Sequence, residues 1–124
     1  MRTHINLPHH AESLPFSDAV LMDDTLYLSG CIGIDPATGL APMDLDQEIT
    51  LLFDHLRAVL AEAGMTMDDL VQVQVFCPDV SLFEHFNSRY RGCFRGPLPA
   101  RAFIGSGSLL REGRFEILGI ARKS

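Results

Sequence analysis

Between Ile49 and Ala63 the apolar residues Ile49, Leu52, Phe53, Leu56, Val59, Leu60 and Ala63 recur at helical spacing and make one continuous stripe. A stripe that long cannot face water along its whole length, so the helix must lie against a second layer of structure. Its ends are marked as well. Asp44 or Asp46 can cap the N-terminus, with Gln47 three residues after Asp44, and Gly64 closes the C-terminus.

The remaining segments supply strands for that second layer. Asp18–Met22 reads as a short strand, Asp23-Asp24 as a turn, and Thr25–Ile32 as a strand in which Gly30 implies a bulge or a close backbone approach. Asp35-Pro36-Ala37-Thr38-Gly39 is a loop. From Leu70 to Phe76, valines at 71, 73 and 75 alternate with Gln72 and Gln74, predicting one buried and one polar face. Ser81-Leu82-Phe83-Glu84 has capping-box form and opens a second helix carrying Leu82, Phe83, Phe86, Tyr90 and Phe94, stopped by Gly96-Pro97. Arg101–Ile104 and Phe115–Ala121 are the last strands, joined by a loop from Gly105 to Gly113. Residues 1–15 show no periodicity and read as an irregular arm.

The order β-β-α-β-α-β-β describes a single α+β domain over residues 1–124, a mixed sheet with two helices on one face. The sheet's other face has no element left to cover it, so a second subunit is the economical cover. Trp is absent, and eight Phe must supply most of the aromatic core. A net charge of −6 with scattered basic residues argues against a nucleic-acid partner. Apolar runs are too short to span a membrane, and Met1–Asn6 has no signal-peptide core. Cys31, Cys77 and Cys93 lack metal or disulfide spacing and fit a reduced, cytoplasmic protein. No metal site is expected; His9-His10 alone would be a weak one, and His55 and His85 read as solvated.

Several of these segments, taken in order, resemble the Rid (YjgF-type) family: Ser29-Gly30, the Asp35–Gly39 loop, Leu60-Ala61-Glu62-Ala63-Gly64, Val73–Phe76, Asn87 with Tyr90, Pro99-Ala100-Arg101, and Glu116-Ile117 with Ile120-Ala121. The resemblance runs from about Leu14 to Ala121. It implies a chorismate-mutase-like fold, a homotrimer with pockets between subunits, and no cofactor. It also implies hydrolysis of enamines or imines such as 2-aminoacrylate to a keto acid and ammonia, with the arginine matched by Arg101 holding the substrate carboxylate. Some relatives have been called ribonucleases.

By the same resemblance Ser29, Gly30 and Asn87 line the pocket. The chain departs from the family at four positions. Phe16 stands for a tyrosine, Leu118 for a glutamate near the attacking water, Cys31 for a frequent glutamine and Phe103 for a frequent cysteine. The anion-binding half is kept and part of the proton-handling half is changed. A wall of Phe16, Phe103 and Leu118 implies a substrate bulkier or more apolar than 2-aminoacrylate.

The residue chemistry fits this expectation. Arginine offers a planar fork of donors that pairs bidentately with a carboxylate. The plainer role for Arg101 is a surface ion pair, for instance with Glu116. Glu116 shares strand parity with Leu118, so it can take over as the base for the water; a sheet ion pair is its plainer role. Cys31 is either a small buried side chain or a thiol activated by Arg101. Tyr90, on the apolar stripe, reads as core or interface. Gly105-Ser106-Gly107-Ser108 lacks the lysine and helix of a phosphate loop. Two functions follow: an imine deaminase using Arg101 and Glu116, or a trimer that binds a small carboxylate without turnover.

Overall fold

The structure is a computed structural model that describes residues 1–124. Six strands, β1 (Arg2–Ile5), β2 (Ala19–Met22), β3 (Thr25–Ile32), β4 (Leu70–Cys77), β5 (Ala100–Gly105) and β6 (Glu116–Arg122), form one sheet. Helix α1 spans Leu45–Glu62 and α2 spans Phe83–Arg91. The strand order is β1-β2-β3-β6-β4-β5. Only β4 and β5 pair in parallel, joined through α2; β6, the last strand, runs antiparallel between β3 and β4.

Asp44 caps α1 by accepting from the Asp46 amide, and Gly64, at φ +70°, follows its end. The stripe is buried as its spacing predicts: Ile49, Leu52, Phe53, Leu56, Val59 and Leu60 lie in the core with Leu26, Leu28, Val73, Val75, Phe86, Phe115 and Ile117. Phe86 is its aromatic centre, with Phe53, Tyr90, Phe103 and Phe115 around it. Along β6, Ile117, Gly119 and Ala121 are buried while Glu116, Leu118 and Ile120 are only half-buried. Both helices therefore cover one face of the sheet, and the other face stays open. No helix is long and apolar enough to cross a membrane.

Four expectations are corrected. Residues 1–15 are not all irregular: β1 pairs with β2 at the sheet edge, too short and too exposed to show an alternating pattern. Val71 is exposed, not buried, because β4 steps two residues from Leu70 to Gln72 while β6 steps one, a bulge that turns Val71 outward. Ser81 does not cap α2. Asp79 accepts from the Ser81 amide and hydroxyl and starts a 3₁₀ turn, Val80–Leu82, ahead of the helix. The helix then stops at Arg91, well before Gly96-Pro97, and Phe94 packs on Tyr90 from beyond its end.

Candidate functional site

Arg101 lies on edge strand β5, opposite Val73 of β4 and on the helix-covered face. Its guanidinium carbon sits 4.6 Å from the centre of the Tyr90 ring, 5.4 Å from Phe103 and 5.8 Å from Phe83. Helix α2 presents Phe83, Asn87 and Tyr90 along one side, as spacings of four and three dictate. Arg101 joins none of the chain's ion pairs. Its Nη1 is buried without a hydrogen-bond partner, and so are Asn87 Oδ1 and the Tyr90 hydroxyl. The guanidinium is thus a half-buried charge in aromatic surroundings that no carboxylate of its own chain meets, which leaves it free to pair with an anion. Burial pushes the Tyr90 hydroxyl up to about 12, although the charge of Arg101 pulls the other way.

Glu116 lies elsewhere. It pairs across the sheet with Ile32 and Phe76, on the open face, and its carboxyl packs against Gly30, where an added methyl would overlap Oε2. Burial raises its pKa above the ordinary glutamate value. Leu118 shares this face. Strand β4 separates β5 from β6, which puts about 10 Å between the two backbones, with the side chains on opposite sides. Arg101 and Glu116 thus neither pair nor share a pocket within one chain.

The other expected site residues divide the same way. Phe103 and the buried Asn87 lie with Arg101; Gly30 and Leu118 lie with Glu116. Ser29 donates its hydroxyl to the Ser17 carbonyl, fastening the segment before β2. Phe16 is exposed, packs edge-on to His10, and borders a concavity of about 600 Å³ with Asn6, His10, Glu12, Leu14 and Ser17. That concavity contains neither Arg101 nor Glu116. Cys31 is part of the core, and its thiol is pushed up to about 12 by burial, then by Glu116 and Asp18. Arg101 does not activate it.

The histidines are less free than their sequence positions imply. His10 bonds to Asp18 at 2.9 Å, with both side chains nearly buried, and His85 bonds to Asp46 at 2.7 Å. His55 meets His9 edge-on, and burial lowers its pKa. No group of three or more His, Cys, Asp or Glu side chains is placed to hold a metal ion.

Two features were missed from the sequence. Tyr90 and Phe83 form the aromatic surround of Arg101; their seven-residue spacing on one helix face was the available signal. Glu48, fully buried, accepts from the Arg114 amide at 2.6 Å and from Arg114 Nε at 2.7 Å. It stands four residues before Leu52 on the α1 stripe, which already placed it inward.

A mixed sheet with both helices on one face and, on its edge strand, an arginine outside every ion pair of the chain defines a small α+β domain with a free cation at the sheet edge. The chain belongs to the Endoribonuclease L-PSP family, also called the Rid family, whose model matches residues 8–123. It is 36% identical over 108 residues to the 2-iminobutanoate/2-iminopropanoate deaminase of Bos taurus, covering 86% of this chain and 79% of that one. It is 34% identical to a RutC family protein of Saccharolobus solfataricus, covering 89% and 88%. Among solved structures, a Rid-family protein of Yersinia pestis superposes with TM-score 0.90 at 29% identity, over 99% of this chain and all of that one. The E. coli TdcF structure with bound serine superposes with TM-score 0.82 at 26% identity, over 89% of each chain.

Proposed function

We propose that the protein is an imine deaminase that hydrolyses small carboxylate-bearing imines to a keto acid and ammonia. The observation that carries this reading is Arg101: buried Nη1 unpartnered, no carboxylate of its own chain in reach, three rings around it. The relatives named as iminobutanoate and iminopropanoate deaminases act on ligands of this charge, and TdcF holds an amino acid.

The reaction asks little of the protein. The carbon of a protonated imine is already electrophilic. Arg101 fixes the carboxylate, and water adds to the C=N carbon while a base takes its proton. The resulting carbinolamine passes a proton to nitrogen, and the C–N bond breaks to release ammonia and leave the ketone. Glu116 suits the base: it has no ion pair, and its raised pKa brings it nearer to neutrality than an exposed glutamate.

Since Arg101 and Glu116 face opposite ways in one chain, this chemistry requires an oligomer. We assign Arg101, Phe103 and Asn87 of one subunit, and Gly30, Glu116 and Leu118 of the next, to each pocket of a homotrimer. The apolar residues Phe103 and Leu118, where the resemblance sets a cysteine and a glutamate, favour a substrate more apolar than 2-aminoacrylate. The replacement at Leu118 also supports a second reading, a trimer that binds a carboxylate without turning it over. A net charge of −6 disfavours RNA as a ligand.

The test is keto-acid and ammonia release from imines generated in situ by an amino-acid oxidase, from 2-aminoacrylate to aromatic imines. Acceleration by wild type that is lost in Arg101→Ala supports the deaminase, and faster turnover of the apolar imines supports the substrate class. No acceleration anywhere, with keto acids still raising the melting temperature, selects the binding reading.

A further inference from the structure

The conformation of Arg101 needs a physical cause. An arginine on an edge strand normally owes its direction to an ion pair or to hydrogen bonds, and this one has neither for its inner nitrogen. What touches the guanidinium is aromatic, and Tyr90 is nearest, at 4.6 Å. Phe103 and Phe83 are farther away, and Phe83 is 38% exposed. Tyr90 is itself held fast. Its ring stacks on Phe86 at 5.8 Å, with Phe94 at 4.9 Å and Phe53 at 6.4 Å around it. It is 4% exposed, so the face it offers to Arg101 is in a water-poor setting, where the attraction between a cation and a ring face is strongest. Its hydroxyl makes no hydrogen bond, so the ring and not the hydroxyl is what Tyr90 brings to Arg101.

We propose that Tyr90 is a positioning residue whose ring face holds the Arg101 guanidinium ready for a carboxylate and so sets carboxylate affinity. This rests on the reading of Arg101 as the carboxylate anchor. Tyr90 does not touch the substrate. It acts by sparing the arginine the loss of side-chain freedom that would otherwise accompany binding.

The experiment is a pyruvate titration, followed by ligand-observed NMR, of wild type, Arg101→Ala, Tyr90→Phe, Tyr90→Leu and the Arg101→Lys/Tyr90→Leu double variant with its single parents. Tyr90→Phe keeps the ring and is expected to bind within about 2-fold of wild type. Tyr90→Leu keeps apolar bulk without the ring and is expected to bind about 3- to 30-fold more weakly, the span of a partly to fully desolvated cation–π contact. The double variant should lose less than the product of its parents' losses, because the ring holds a strongly hydrated, flexible ammonium less well than a planar guanidinium. In imine hydrolysis Tyr90→Leu should raise KM with kcat largely kept.

Unchanged pyruvate binding in Arg101→Ala would overturn the anchor reading itself. Loss in Arg101→Ala with unchanged affinity in Tyr90→Leu would overturn only the role of Tyr90. Equal loss in Tyr90→Phe and Tyr90→Leu, or additive losses in the double variant, would overturn it too. If Tyr90→Leu fails to fold, Tyr90→pentafluorophenylalanine preserves the packing and inverts the charge of the ring face. Weaker binding there supports the proposal, and wild-type affinity refutes it.

Discussion

The carboxyl of Glu116 is lifted by burial and has no ion pair to bring it back down, which fixes two signs. If Glu116 is the base, it must be ionised to work. The acid limb of kcat/KM should then lie above the ordinary glutamate value of 4.5, and Glu116→Gln should abolish turnover at every pH. Stability moves the other way. A carboxyl whose folded-state pKa exceeds its unfolded value favours folding while protonated, and that contribution is lost as pH rises through the folded-state value. Glu116→Gln should therefore gain in melting temperature relative to wild type as pH is raised from about 4 to 7. An acid limb at or below 4.5, or a relative gain on acidification, would contradict the assignment. Gly30→Ala probes the same spot. Its methyl would overlap Glu116 Oε2, the far end of a flexible side chain, so the carboxyl must swing aside while the fold survives. We expect near-normal thermal stability and at least a tenfold loss of kcat, since displacing a catalytic group by about 1 Å can cost about a hundredfold.

Elements announced by repetition were readable in the sequence, and those shaped by a single contact were not. The α1 stripe is long enough that its period admits one interpretation, and Gly64 ends it for a local reason. Strand β4 was located by its valines, but the outward turn of Val71 depends on how β6 pairs with it, which no local pattern records. The start of α2 shifted because Asp79 takes both the amide and the hydroxyl of Ser81 and so starts a 3₁₀ turn ahead of the helix. Helix α1 also carries a dependence that its apolar stripe hides. Glu48, fully buried, is neutralised by Arg114 and hydrogen-bonded by two amides of the turn into β6. Removing the Arg114 side chain leaves Glu48 its two amide hydrogen bonds but no counter-charge, so Arg114→Ala should cost about 2–3 kcal/mol of unfolding free energy in urea titration. Gly64→Ala should cost about 1–2 kcal/mol, because an alanine there must adopt positive φ. A loss well under 1 kcal/mol in Arg114→Ala would mean that water replaces the guanidinium at little cost.

The molecule as a whole has one dry face and one open one. The sequence showed that the sheet's second face lacked a cover, but not that Arg101 and Glu116 would fall on different sides. That requires knowing that β5 pairs parallel to β4, and that β6 enters between β3 and β4. The open face carries Tyr27, 50% exposed, and the half-buried Leu118 and Ile120, an apolar stretch with Glu116 at its end. If a neighbouring subunit covers it, assembly and catalysis fail together. Sedimentation equilibrium should give about three times the 13.7 kDa of one chain. Ile120→Glu would set a charge on this face while leaving the helix-covered core intact. We expect it to sediment as a monomer, to keep its α+β circular dichroism, and to lose imine hydrolysis even though Arg101 and Glu116 are both present. A trimer gains stability by mass action, so the wild-type melting temperature should rise with protein concentration and that of Ile120→Glu should not. A monomeric variant that still hydrolyses imines would show that one chain holds a complete site, and the division of Arg101 and Glu116 between subunits would be wrong. A wild type that sediments as a monomer would remove the same assignment at its root, because no second chain would then be present to bring Glu116 to the pocket of Arg101.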